Sequence, residues 1–149
     1  YLPDFKYMSA DLAARYSHAP DYPEVAKRAL VEMVRQVGGD QTTFDEDGIM
    51  KRGVIVRHLE LPGCIEDSKA VVRYLYKTYG NNIYISIMNQ YTPMEGIGEK
   101  FPELNRKLTE REYDELVDYA ISIGVENGFI QEGETASESF IPPFTNEGI

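Results

Sequence analysis

Two charged side chains stand two residues apart near the start of the chain, in the segment YLPDFKYMS. Asp4 and Lys6 alternate with Phe5, a spacing that predicts an extended strand with both charges on the same side. A carboxylate held at such a strand end accepts a proton from a hydroxyl or an amine, and an ammonium group binds a carboxylate or a phosphate. The alternative interpretation is a solvated strand end with an ion pair.

A second charged stretch interrupts the most apolar strand, VIVRHLELPG. Arg57 and His58 are adjacent, so their side chains face opposite sides of the strand. Burying an unpaired Arg is costly, and Arg57 must therefore meet a partner, a ligand or water. The alternation does not say which of the two faces a site, and we expect His58 to point into solvent at the rim. The Pro62-Gly63 exit brings backbone amides close to any ligand bound there.

The elements that must hold these residues are strands alternating with helices. Asp21 with Glu24, and Thr109 with Glu112, are spaced as capping boxes, and Asp67 is expected to cap the helix between them. The Asp-Gly dipeptide in DEDGIM predicts a small hairpin rather than a calcium loop. The predicted strands are YLPDFK, VIVRHLEL, NIYISIMNQY and GFIQ, and the predicted helices are SADLAARY, DYPEVAKRALVEMVRQV, DSKAVVRYLYKTY and TEREYDELVDYAISIGV.

This alternation predicts an α/β fold built from β/α units around a parallel sheet. Ligands of such folds lie at the carboxyl ends of the strands, where Asp4, Arg57 and Asn89 fall. Four strands are few for a closed barrel, so the expected architecture is a partial (β/α) TIM-like barrel with outer helices. The pattern assigns residues 1–131 to this domain and 132–149 to an extended or partly disordered tail.

Composition excludes several classes of function. The net charge of −10 argues against wrapping nucleic acid, which needs clustered Lys and Arg. No apolar run approaches the roughly 20 residues of a membrane helix, and no secretory signal is visible. The single cysteine, Cys64, excludes an internal disulfide and any cysteine-only metal site within the chain. It is expected to pack as a small apolar side chain, and a reducing cytoplasmic setting is the default.

Several segments together resemble one family. The segments are YLPDFKYMS, RYSHAPDYPEVAKRALVEMVRQVG, DEDGIMKRGVIVRHLELPG, IYISIMNQYTPM and ENGFIQEGETASESF. They resemble the C-terminal half of radical S-adenosylmethionine (SAM) proteins related to the pyruvate formate-lyase activating enzyme, and the resemblance covers essentially the whole chain.

The resemblance implies an incomplete (β/α)₆ barrel and an oxidoreductase with two cofactors, SAM and a [4Fe–4S] cluster held by a CxxxCxxC motif. Reductive cleavage of SAM gives a 5′-deoxyadenosyl radical, which in activating enzymes abstracts hydrogen from a glycine of a partner enzyme. The implied partners are therefore a glycyl-radical enzyme or other protein substrate, and an electron donor such as flavodoxin or ferredoxin.

Individual residues follow from the same resemblance. The D-x-K strand end implies Asp4 near the ribose or methionine portion of SAM, and Lys6 near SAM or the substrate backbone. The R-x-x-x-x-P-G strand makes Arg57 a candidate contact to the SAM carboxylate or ribose. Met88 and Asn89 would line the adenine pocket. Tyr91 stands where the activating enzymes have a His.

The family's cluster cysteines and its glycine-rich strand are absent from these 149 residues. The chain by itself is therefore expected to bind no cluster and to be inactive. Two alternatives remain open: a free-standing half-barrel binding or scaffold module, and another small (β/α) enzyme using Asp4 and Lys6. A half barrel that begins at Tyr1 would expose a strand edge and self-associate.

Overall fold

Helices and strands alternate along the chain in the predicted order. The computed structural model describes residues 1–130, and the predicted tail 132–149 lies outside that range. Within residues 1–130, no helix combines the length and apolar character needed to cross a membrane. The helices are α1 (Ala10–Ser17), α2 (Tyr22–Val37), α3 (Ile65–Tyr79), α4 (Ile97–Lys100) and α5 (Glu110–Ser122). The strands are β1 (Thr43–Phe44), β2 (Met50–Arg52), β3 (Ile55–Leu59), β4 (Tyr84–Met88) and β5 (Gly128–Ile130).

The central element is a three-stranded parallel sheet in the order β3-β4-β5. The predicted first strand is present as extended chain that runs parallel to β3 and forms one bridge, Asp4 to Arg57. The backbone hydrogen bonds Arg57 N–H to Pro3 O (2.8 Å) and Phe5 N–H to Arg57 O (2.9 Å) hold it there. The chain is therefore an α/β protein, and its described residues form no closed barrel.

One face of this sheet is packed against helices. Alternate residues of β4, Ile85 and Ile87, are at most 1% exposed and contact the same core as Leu75 of α3 and Leu116 of α5. Burying each of these side chains contributes about 1.5–3 kcal/mol relative to exposure. Ile83, just before β4, lies in the same core, and the alternate residues Tyr84, Ser86 and Met88 of β4 face the opposite side of the sheet.

The predicted hairpin is also confirmed. Strands β1 and β2 pair antiparallel, and Gly48 takes the positive φ of 77° that the turn requires. The Asp45 carboxylate accepts from the backbone N–H groups of Asp47 and Ile49, both at 2.9 Å. This carboxylate organises a turn, as expected from the lack of a complete calcium-loop pattern.

The three predicted caps have different outcomes. Thr109 and Glu112 form the predicted capping box at the start of α5. Asp21 makes no capping hydrogen bond, because its backbone (φ −85°, ψ −3°) is already helical and an N-cap residue needs an extended one. Asp67 is not a cap either, since α3 begins two residues earlier, at Ile65, and the Asp67 carboxylate lies inside its first turn. These last two predictions were wrong.

Candidate functional site

Asp4 and Arg57, two of the residues singled out from the sequence, form an ion pair. Arg57 Nε donates to Asp4 Oδ1 at 2.8 Å, and each side chain is 43% exposed. Their backbones are bridge partners, and Arg57 is in register with Ser86 of β4, so the three side chains form a row on the face away from the helices. A guanidinium has five N–H donors, so Arg57 can keep Asp4 and also bind an anionic ligand group.

The backbone on either side of Asp4 is fixed by Tyr22 of α2. The Tyr22 hydroxyl donates to Asp4 O at 2.8 Å and accepts from Lys6 N–H at 3.0 Å. Burial raises the pKa of Tyr22, which keeps this hydroxyl protonated. The Lys6 side chain is exposed. Tyr22 thus binds the backbone of the Asp4–Lys6 segment, and the charged side chains of Asp4 and Lys6 remain exposed to solvent.

His58 lies in the core rather than at the rim, so the prediction that it points into solvent was wrong. It is 1% exposed, with Nδ1 2.8 Å from Phe5 O and Nε2 2.8 Å from Ser68 Oγ. A neutral ring satisfies both contacts when Nδ1–H donates to the carbonyl and the Ser68 hydroxyl donates to Nε2. Burial lowers the pKa of His58 and so favours this neutral form.

Asp67 makes a second contact to the same N-terminal segment. Its carboxylate accepts from Met8 N–H at 3.2 Å and from Ser9 N–H at 2.8 Å. Burial raises the pKa of Asp67, and the two amide hydrogen bonds partly oppose that shift. His58 and Asp67 together attach the residues after Asp4 to β3 and α3, and neither role was predicted from the sequence.

The remaining candidate residues divide between the sheet and a loop. Met88 is half-buried at the end of β4, on the same face as Arg57 and in register with Leu59. Asn89 follows it and is partly buried. The Tyr91 hydroxyl donates to Leu104 O at 2.7 Å, and burial raises its pKa. Tyr91 therefore holds the loop that follows β4.

That connection, residues 92–108, contains α4 and is anchored to α1. Arg15 and Tyr16 both donate to Glu103 Oε1, at 2.6 and 2.9 Å. Burial and this carboxylate raise the pKa of Tyr16 to about 12. Cys64, near the same place, is half-buried and burial raises the pKa of its thiol. A protonated, packed thiol agrees with the expectation that Cys64 is not a nucleophile.

Glu60 is a buried acid that the sequence interpretation missed. It directly follows β3, is 0% exposed, and neither carboxyl oxygen has a hydrogen-bond partner among residues 1–130. Burial first, and then the charges of Glu112 and Glu115, raise its pKa to about 8. The signal was present in the sequence: Val54, Val56, His58 and Glu60 share one side of a strand.

Two concavities lie away from the Asp4–Arg57 pair. One, of about 550 Å³, is on the exposed side of α5, and the other, of about 360 Å³, is at the opposite end of the sheet. In the described part of the chain, no group of three or more His, Cys, Asp or Glu residues could hold a metal ion. The first concavity is lined by Glu110, Arg111, Asp114, Glu115 and Asp118. The second is lined by Tyr1, Leu2, Val37, Met50, Lys51, Arg52, Gly53 and Ile55.

The arrangement at the sheet is thus a half-exposed ion pair on the face away from the helices, whose guanidinium keeps N–H groups that can bind an anion. Comparisons of this chain with models of protein families, with curated proteins and with solved structures found no match.

Proposed function

We propose that this chain is the C-terminal part of a radical SAM enzyme of the activating-enzyme type and forms one wall of its SAM cleft. The observation that carries the proposal is the Asp4–Arg57 pair at 2.8 Å, half exposed on a parallel sheet. It joins the two sequence motifs, D-x-K and R-x-x-x-x-P-G, on which the family resemblance mainly rests. The two motifs are 53 residues apart in the sequence, and the parallel pairing of residues 1–5 with β3 brings their charged residues together.

The chemistry of these residues fits SAM. Arg57 would bind the ligand carboxylate through its remaining N–H groups, and Asp4 would accept from a ribose hydroxyl or the amine. Met88 would pack against the adenine ring beside Asn89, since its thioether side chain adapts to aromatic surfaces. Lys6, exposed beside the pair, would reach SAM or the backbone of the substrate. Tyr91 would shape this wall indirectly, by holding the loop after β4.

The [4Fe–4S] cluster does not fit this chain, because one cysteine cannot supply three thiolate ligands. In the proposed enzyme the cluster would be held by a preceding half and would supply the electron for the cleavage of SAM. This chain contributes binding and orientation of SAM and part of the groove for the protein substrate. The expected setting is the cytoplasm, with a glycyl-radical enzyme as partner and flavodoxin or ferredoxin as electron donor.

Calorimetric titration of the product of the complete reading frame with SAM tests this proposal. Arg57→Gln is expected to weaken SAM binding about 10- to 100-fold, the loss typical of one charge-assisted hydrogen bond. Arg35→Gln is the matched control, since Arg35 also pairs with a carboxylate, Glu32 at 2.6 Å, but lies on α2. Equal SAM affinity in the wild type and both variants would refute the proposal.

A second candidate is a free-standing half-barrel binding module without catalysis. It is favoured by the same ion pair, because Asp4 and Arg57 neutralise each other and need no ligand. For this candidate, the 149-residue chain is a stable monomer at high concentration and SAM leaves its melting temperature unchanged. Self-association through the edge formed by residues 1–5, measured by sedimentation, would count against it.

A further inference from the structure

The buried carboxyl of Glu60 lies where three elements meet. Its backbone N–H continues the sheet by donating to Met88 O at 3.1 Å. Its side chain lies on the helix-covered side of the sheet, as do those of Val56 and His58, and faces α5. Among the described residues, both carboxyl oxygens are buried without a hydrogen-bond partner. A native protein keeps such a group only at a cost, so it calls for an explanation.

Among residues 1–130, the charged groups around Glu60 do not offer it a cation. On α5, the groups that act on it are the carboxylates Glu112 and Glu115. Arg106 of the preceding loop donates to both oxygens of Glu112, each at 2.8 Å. Lys69 of α3 pairs with Glu115 at 2.8 Å. Each neighbouring cation is therefore already bound to another carboxylate.

The neighbouring imidazole does not offer a charge either. His58 lies two residues before Glu60 on the same side of β3, and burial keeps its ring neutral. An ionised Glu60 would be a buried charge without a partner, next to two like charges, and the neutral acid is strongly preferred. Its raised pKa, about 8, is in line with this geometry.

Glu112, one of the two carboxylates that act on Glu60, binds the backbone of two segments. Its carboxylate accepts from Gly63 N–H at 2.9 Å, in the turn between β3 and α3. The same carboxylate accepts from Thr109 N–H at 2.9 Å, which closes the capping box of α5. A repulsion that displaces Glu112 therefore releases both the turn and the first residues of α5.

We propose that Glu60 is a proton-dependent latch at the carboxyl end of the sheet. While it is protonated, Glu112 stays beside it and joins the Gly63 turn to the start of α5. When it loses the proton, repulsion moves Glu112 away and both segments open locally, although β4 and the core of α3 remain folded. This latch does not depend on SAM, so it stands or falls separately from the proposed function.

Amide hydrogen exchange measured by mass spectrometry, corrected for intrinsic rates, tests the latch between about pH 6 and about pH 9.5. In the wild type, protection at 61–64 and 105–113 is expected to fall about tenfold across this range, while 84–88 stays protected. Glu60→Gln, which cannot ionise, is expected to remove this pH dependence. The same loss of protection in the variant, or an equal loss at 84–88 in the wild type, would overturn the proposal.

Glu115→Gln serves as the matched variant, because it removes one repelling charge and leaves Glu60 in place. It is expected to move the opening to lower pH, since Glu60 then ionises more readily. If Glu60→Gln does not fold, a carbon NMR titration of the Glu60 carboxyl in the wild type decides the question. A midpoint above about pH 7 supports the latch, and a midpoint near the ordinary value of about 4.3 overturns it.

Discussion

Removal of the Ser68 hydroxyl is expected to destabilise the protein because it leaves a buried nitrogen of His58 without its hydrogen-bond partner. Ser68 is 2% exposed and His58 1%, and the distance between Ser68 Oγ and His58 Nε2 is 2.8 Å. In Ser68→Ala the imidazole nitrogen remains buried without a donor. The free energy of unfolding should fall by about 1–3 kcal/mol, the usual cost of a buried polar atom left unsatisfied.

Urea denaturation followed by circular dichroism measures this loss. Ser122→Ala is the matched control, because its hydroxyl donates at a similar distance, 2.7 Å to Tyr119 O, but is exposed on α5. Its cost should stay within about 0.5 kcal/mol. Equal losses in the two variants, with unchanged slopes against urea, would refute the assigned role of the Ser68–His58 hydrogen bond.

Three further changes test the core, the buried acid and the helix cap. Leu75→Ala should lower the unfolding free energy by about 2–5 kcal/mol in urea, because Leu75 is 0% exposed and leaves a cavity. Glu60→Gln should flatten the dependence of stability on pH. The folded pKa of Glu60 is raised from 4.5 to about 8, so its contribution is complete below 4.5 and lost as pH rises towards 8. Between about pH 4 and about pH 8 the unfolding free energy of the wild type should therefore fall by about 4 kcal/mol relative to that of the variant, read from melts across pH, and equal slopes in the two proteins would contradict this. Thr109→Ala should lower the unfolding free energy by about 1 kcal/mol in urea, because it removes one side of the capping box.

Local patterns predicted most elements of the fold. The strand β4, the Asp-Gly turn between β1 and β2, and the capping box of Thr109 and Glu112 depend on residues close in sequence, and all three are confirmed. The parallel sheet followed from the alternation of strands and helices. Such features depend on the backbone geometry of a few neighbouring residues, and the residue types at those positions indicate that geometry.

Two of the errors, those on His58 and Asp67, concern contacts between distant segments, whereas the error on Asp21 lies in its local backbone conformation. In β3 both sides carry apolar residues, so alternation alone could not decide whether Arg57 or His58 is buried. That choice depends on Phe5 and Ser68, which supply His58 with its partners. The Asp67 carboxylate was expected to cap its own helix, but it binds amides 58 and 59 residues earlier.

The candidate site was predicted in part. The sequence placed Asp4 and Arg57 at strand ends, but their ion pair was not predicted and comes from the parallel pairing of residues 1–5 with β3. Tyr91 was singled out through the family resemblance, and in the structure its hydroxyl donates to Leu104 O in the segment after β4. Side-chain direction in a loop depends on how the whole loop folds, which a local pattern does not encode.

The most direct test of the proposed function is the formation of 5′-deoxyadenosine from SAM by the product of the complete reading frame. The protein is purified without oxygen, reconstituted with iron and sulfide, and reduced with dithionite. The account predicts about four iron atoms per chain and dithionite-dependent 5′-deoxyadenosine, sharply reduced in Arg57→Gln but not in Arg35→Gln. A protein that binds no iron and leaves SAM intact would contradict it.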